Sequence, residues 1–232
     1  MALSPLQKKQ VDFQLQQHIH DSYKIDITLS EGHILKDFTV AKNVLRPEKM
    51  AAVYLARYLF FNNGLYKNKV VVDMGCGSGI QGIVASLYGA KKTIFTDISP
   101  DAVENCKLNV EHYKLNEASE VVKGDLFQNV NNKADLIIFN HPFFSDDPIP
   151  ESPISKAMLD SGDLFQRFLR ECKNRLNGGG IIITVYFDVA GDTNNPSIQG
   201  VKNGYIVTER FNLKVSTGLQ KGHILIHELT LK

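Results

Sequence analysis

Asp73, Gly75, Gly77 and Gly79 stand at alternate positions in the run V-V-V-D-M-G-C-G-S-G-I-Q-G, residues 70–82. Glycines in this spacing place no side chains in the way, so a ligand can approach the backbone and the free amides of a following helix. A carboxylate just before such a loop favours a ligand with a nearby ammonium group over one with an anionic pyrophosphate. The same stretch satisfies G-x-G-x-x-G through Gly77, Gly79 and Gly82, which makes a dinucleotide cofactor the competing expectation. Three further polar signals follow in order: Asp97, 24 residues after Asp73; Asp125 within Gly124-Asp125-Leu126-Phe127; and Asn140-His141-Pro142-Phe143.

Each signal is expected at the end of a strand. Val70, Val71 and Val72 form the β-branched run of a strand buried on both faces, and Ile80, Ile83, Val84 and Leu87 recur at helical spacing after the glycines. K-T-I-F-T, residues 92–96, reads as a second strand ending at Asp97 and Ile98, after which Ser99 and Pro100 open a helix with Val103, Cys106, Val110 and Tyr113 along one face. Val121 and Val122 mark a third strand, and A-D-L-I-I-F, residues 134–139, a fourth that ends in Asn140.

In this combination the chain resembles the class I methyltransferases that use S-adenosylmethionine (SAM), whose ammonium and sulfonium charges suit the acid before the loop. The resemblance covers residues 44–232. It implies a Rossmann-like, doubly wound α/β fold with seven strands, the last inserted antiparallel. Asp73, Gly75, Cys76, Gly77 and Gly79 would then hold the methionine end of SAM. Asp97 and Ile98 would hold the ribose, Asp125 would accept from the adenine amino group, Leu126 or Phe127 would flank the ring, and Asn140 would also belong to the cofactor-binding set.

Asn140-His141-Pro142-Phe143 resembles the N-P-P-Y or N-P-P-F motif of enzymes that methylate planar amino or amide nitrogens, in protein glutamine side chains or nucleobases. A conjugated nitrogen attacks poorly until acceptors hold its hydrogens, and the Asn140 side chain and the carbonyl of residue 141 are the two acceptors that the resemblance implies. Pro142 follows them, and Phe143 would stack on the target. His141 departs from the usual proline, exchanging a fixed φ for a titratable ring. The acceptor expected is a macromolecule, protein or nucleic acid. A small-molecule methyltransferase, a non-catalytic SAM-binding subunit and a nicotinamide-dependent oxidoreductase are the alternatives; no Tyr-Lys or His-Asp apparatus supports the last.

Composition sets the remaining bounds. The 232 residues carry 26 Lys plus Arg against 25 Asp plus Glu, so no basic groove for nonspecific nucleic-acid binding is visible. No 18-residue apolar run and no signal-peptide pattern occur, so a cytoplasmic protein without a membrane segment is expected. Cys76, Cys106 and Cys172 lack metal or disulfide spacing, and His18, His20, His33, His112, His223 and His227 read as surface or edge residues, so no metal is expected.

Residues 1–43 read as an extension: a polar helix with a Val11, Leu15, Ile19 stripe, then a hairpin across residues 30–33. A helix is expected from Arg46-Pro47 through Leu59, in the place where related enzymes cover the cofactor. Residues 144–160 read as a substrate-facing loop. A helix from Gly162 is expected to bury Phe165, Phe168, Leu169, Cys172 and Leu176 and to end at Gly178-Gly179-Gly180. Residues 181–187 then form the fifth strand, and the chain ends in an antiparallel pair.

Overall fold

Short apolar β-branched runs alternating with amphipathic helices can bury both kinds of surface only by placing helices on the two faces of a sheet. The computed structural model describes residues 3–49, 51–216 and 219–232. Helix α1 (Pro5–Gln17), the hairpin strands β1 (Tyr23–Ser30) and β2 (His33–Val40) and helix α2 (Ala52–Phe61) come first. The alternating region runs β3 (Val70–Met74), α3 (Ile80–Leu87), β4 (Lys92–Asp97), α4 (Pro100–His112), β5 (Ser119–Lys123) and β6 (Ala134–Phe139). It continues with α5 (Pro153–Met158), α6 (Asp163–Cys172), β7 (Leu176–Phe187), α7 (Pro196–Lys202), β8 (Tyr205–Ser216) and β9 (Lys221–Leu231).

The seven strands lie in the order β5-β4-β3-β6-β7-β9-β8, and β9 runs antiparallel to both of its neighbours. Strand β3 pairs in parallel with β4 on one side and β6 on the other, so chain direction across the sheet reverses here. In register, Met74 stands beside Thr96 and beside Phe139, which brings the glycine loop, Asp97 and Asn140 to one edge of the sheet. That edge is the carboxyl end of the strands at the switch point, where a crevice is topologically unavoidable.

Val71, Val72, Ile137 and Ile138 are fully buried in the central strands. Val71 and Ile138 pack in one cluster with Ile80, Ile83 and Val84 of α3, and Val72 and Ile137 in another with Phe165, Phe168 and Leu169 of α6. Gly82 lets α3 come this close, because a Cβ there would collide with the Phe95 ring on β4. The hairpin shares one apolar cluster with α2 and α3 through Ile27, Leu29, Leu35 and Phe38.

Several boundaries differ from the sequence expectation. In α1 only Val11 of the expected stripe is buried, and Ile19 lies beyond the helix, 78% exposed. Gln10 and Gln14 are buried instead, and Gln7 donates from Nε2 to the Val189 carbonyl at 2.9 Å, so polar anchoring replaces an apolar face. Helix α2 starts at Ala52 rather than at Pro47. Helix α6 ends at Cys172, and Leu176 with the three glycines belongs to β7. The β6–β7 register slips there, Gly179 has φ +75°, and a Cβ on Gly180 would sit 3.0 Å from the Ala134 carbonyl oxygen. The glycines therefore serve a strand irregularity, not a helix stop. The 144–160 segment contains α5, and Phe144 bridges Leu159 at its base.

Asn105 and Asn109, buried on α4, bind the hairpin to the sheet. Asn109 accepts the Thr39 amide at 2.9 Å and donates to the carbonyls of Thr39 and Ser78 at 2.8 and 2.9 Å. Asn105 accepts the Ala41 amide and also donates to Thr39, both at 2.9 Å. Asn109→Ala leaves buried backbone groups unpaired and is expected to lower stability by about 2 kcal/mol or more in urea unfolding, whereas a surface change such as Glu111→Ala should cost under about 0.5 kcal/mol.

Candidate active site

A cavity of about 740 Å³ opens at the carboxyl ends of β3, β4 and β6. Gly75 and Gly77 of the glycine loop line its floor, whereas Gly79 does not line it and packs toward Cys106; the three have φ +58°, +54° and +85°, a region that side chains resist. Asp73 does not line the cavity. Its carboxylate is 2% exposed and accepts the Gly82 amide through Oδ2 at 2.8 Å, so it ties the end of β3 to the first turn of α3 behind the loop. Burial pushes this carboxyl up to about 8.

Asp97 grips the loop from the cavity side. Its Oδ2 accepts the Gly77 amide and its Oδ1 the Ser99 amide, each at 2.9 Å, while burial raises its pKa. Ile98 lines the opening, 62% exposed. Cys76 is buried; a hydrogen bond with Cys106 and burial hold its thiol well above the ordinary range, in keeping with a packing residue.

Asp125 also lines the cavity, but its carboxylate is held bidentately by Arg167 on α6, at 2.8 and 2.9 Å, and Asp163 reaches the same guanidinium at 3.2 Å. Sequence reasoning missed Arg167; the Asp163/Arg167 spacing of four on a helix was its only local signal. Leu126 lines the cavity at φ +48°, its carbonyl fixed by Thr96 Oγ1 at 3.2 Å. Phe127 does not; it is buried near Phe168, in the same apolar cluster as Leu126.

Asn140, His141, Pro142 and Phe143 come off β6 into the same cavity. The Asn140 side chain has no protein hydrogen-bond partner among the described residues. The His141 imidazole is buried, with Nε2 2.9 Å from the Asn194 carbonyl and Nδ1 2.9 Å from Thr184 Oγ1, and burial pushes its pKa down to about 4. Phe143 is buried edge-on against His141 and Tyr186.

Two segments close the cavity. From the N-terminal side, Val44 lies over Gly77, and Arg46 is fixed by Glu48 at 2.9 Å. His18 also lines the cavity, contrary to the surface role expected of it: it is buried, accepts the Arg46 amide at Nδ1 and is pushed down to about 4 by desolvation. His227 is buried as well, beside Ser197 Oγ at 2.8 Å. From the other side come Pro148, Pro153 and Lys156 of the 144–160 segment. Its base is set by Asp160, whose carboxylate accepts the amides of Gly162, Leu164 and Phe165 and so caps α6. No group of three or more metal-ligating side chains occurs among the described residues, and no helix there is long and apolar enough to cross a membrane.

Residues 54–193 match the family model of the methyltransferase small domain. A Methanocaldococcus jannaschii protein with the provisional name protein N5-glutamine methyltransferase is 36% identical over 132 residues, 54% of this chain and 66% of that protein. The release factor glutamine methyltransferase of Borreliella burgdorferi is 29% identical over 157 residues, 63% of this chain and 54% of that protein. The matches thus span about half to two thirds of the length of these curated relatives. Among solved structures, a T. thermophilus 16S rRNA methyltransferase in complex with AdoMet and guanosine superposes with TM-score 0.65 at 15% identity, covering 92% of this chain and 51% of that one. A ribosomal protein L11 methylase from Lactobacillus delbrueckii subsp. bulgaricus gives TM-score 0.60 at 19% identity over 89% of this chain and 98% of that one. These two likenesses are of fold.

The buried Asp73 generates a pH signature. Its folded pKa stands above its unfolded value, so its protonated form favours folding fully below the unfolded pKa, and that advantage is lost as pH rises from about 4 through about 8. Asp73→Asn keeps an acceptor for Gly82 and cannot ionise. Its stability relative to the unsubstituted protein should rise between about pH 5 and 8, at most by about 1.4 kcal/mol per pH unit. Parallel urea-unfolding profiles across that range would contradict the assignment.

Proposed function

The chain belongs to the methyltransferase small domain family, and on that premise we propose that it transfers the methyl group of SAM to a planar amino or amide nitrogen of a macromolecule. The observation that carries the proposal is the Asn140 side chain, free of hydrogen-bond partners among the described residues, at the cavity that the glycine loop and Asp97 line.

The donor set fits SAM. Each Asp97 oxygen accepts one backbone amide and keeps a lone pair for a ribose hydroxyl, which matches a vicinal diol. Leu126 offers an apolar wall to the adenine ring, and Asp125 an acceptor for its amino group while Arg167 holds the carboxylate in place. The side-chain-free loop around Gly77 leaves room for the methionine end, beside the positive charges of Arg46 and Lys49. Asp73 acts on that end only through the loop it fixes. The group these residues would hold supplies an electrophilic methyl on a sulfonium.

The protein's own part is orientation. Asn140 Oδ1 and the His141 carbonyl accept the two hydrogens of the acceptor nitrogen, turning its lone pair toward the methyl group. No general base is needed before attack, because the proton can leave once the nitrogen carries the charge. The neutral, buried His141 ring, bonded at both nitrogens, takes no part in proton transfer. The names of the relatives point to glutamine side chains of proteins or to nucleobases as acceptors.

Incubation of cell extract with labelled SAM, followed by protease or nuclease digestion, identifies the acceptor class. Asn140→Ala should leave SAM affinity nearly unchanged and slow transfer by roughly 100-fold or more, the scale of a lost preorganised polar group. Transfer at the original rate would overturn the role of Asn140.

A further inference from the structure

The proline usual before Pro142 in related motifs is absent, so the backbone carbonyl of residue 141 needs another means of being fixed. Three residues from three separate elements meet there. Thr184 comes from the middle of β7, paired with Phe139 at the end of β6, and its hydroxyl is 2.9 Å from His141 Nδ1. Asn194, in the loop before α7, receives His141 Nε2 on its backbone carbonyl at 2.9 Å. Its side-chain Nδ2 donates to the Asp160 carbonyl at 2.8 Å and to the Phe143 carbonyl at 3.4 Å. The imidazole lies parallel to Phe165, centroids 4.0 Å apart, and Phe165 is in turn fixed by its amide to Asp160.

The acceptor of Nε2–H is a carbonyl, so Nε2 must carry the proton, and Nδ1 must accept from the Thr184 hydroxyl. Only one neutral tautomer and one ring orientation satisfy both contacts. A side chain held at both ring nitrogens and against an aromatic face constrains its own backbone from outside, as a proline ring does from within. Asn194 extends the constraint to Phe143 and to the base of the 144–160 segment, so the acceptor site and the segment that covers it share one anchor.

We propose that Thr184, His141 and Asn194 form a brace that sets the direction of the His141 carbonyl, so that His141 and Asn194 are positioning residues for the acceptor nitrogen. The proposal rests on the methyl-transfer reading and adds to it residues from β7 and the loop before α7. His141 acts through its backbone, and its ring serves to aim that backbone.

The test compares Thr184→Val, which removes the hydroxyl at constant shape, with Thr184→Ser, which keeps it. With labelled SAM and a fixed cell extract as acceptor, Thr184→Val should transfer methyl roughly 10- to 100-fold more slowly, at unchanged SAM affinity, and Thr184→Ser should recover most of the rate. A Thr184→Val protein that binds SAM and transfers at the original rate overturns the brace. The second readout needs no variant: nitrogen NMR of histidine-labelled protein should show His141 as the neutral Nε2–H tautomer from about pH 5 to 8. A His141 that is protonated at about pH 6, or carries its proton on Nδ1, also overturns the brace, even if Thr184→Val fails to fold. Absence of any transfer by the unsubstituted protein would instead remove the enzymatic reading beneath it.

Discussion

Two carboxylates that accept backbone amides hold the glycine loop in shape, and the rest of the site is arranged around that loop. Asp73 pulls Gly82 toward the end of β3 from behind, and Asp97 pulls Gly77 toward the end of β4 from in front. Between them the chain passes through three left-handed glycine positions, a path with no stabilising side chains of its own. Asp73 is buried and Asp97 half-buried at the cavity wall, and desolvation raises the pKa of each against the lowering effect of the amides they accept. The loop is therefore fixed from behind by a fully buried contact and from in front by one that still faces the cavity, and both are formed by the protein alone.

The same economy appears at the other walls. Val44 covers Gly77 only because the hairpin is bound to α4 through Asn105 and Asn109, and Asn109 also reaches back to Ser78 in the glycine loop. On the opposite side, Asp160 caps α6 and receives Asn194 on its carbonyl, so α6, the 144–160 segment and the Asn140 turn meet at one residue. Each wall of the cavity comes from a different part of the chain, and each is held by buried amide or carboxylate contacts rather than by apolar packing alone. Directed polar contacts fix orientation as well as proximity, which in-line methyl transfer requires.

The framework was legible from sequence because its signals are local. The valine run before Asp73, the Ser99-Pro100 helix start and the apolar strand before Asn140 each lie within a few residues of what they predict. What could not be read depended on partners distant in sequence. Asp73 looked like a ligand contact because its position matched, yet its carboxylate turns away to an amide nine residues on. The three glycines after Leu176 looked like a helix stop, because a bulge opposite Ala134 leaves no pattern in its own strand. His18 looked like a surface residue and is buried, since the chain between it and Arg46 folds back over the loop. Thr184 and Asn194 gave no motif, and Arg167 only its spacing of four from Asp163; the sheet register and the docking of α6 bring them to the site.

Calorimetric titration of the purified protein with SAM, and separately with NAD, tests the central claim most directly. A cavity built on Asp97 and the glycine loop should bind SAM at one site per chain and leave NAD unbound. Binding of NAD without SAM would contradict the account at its foundation.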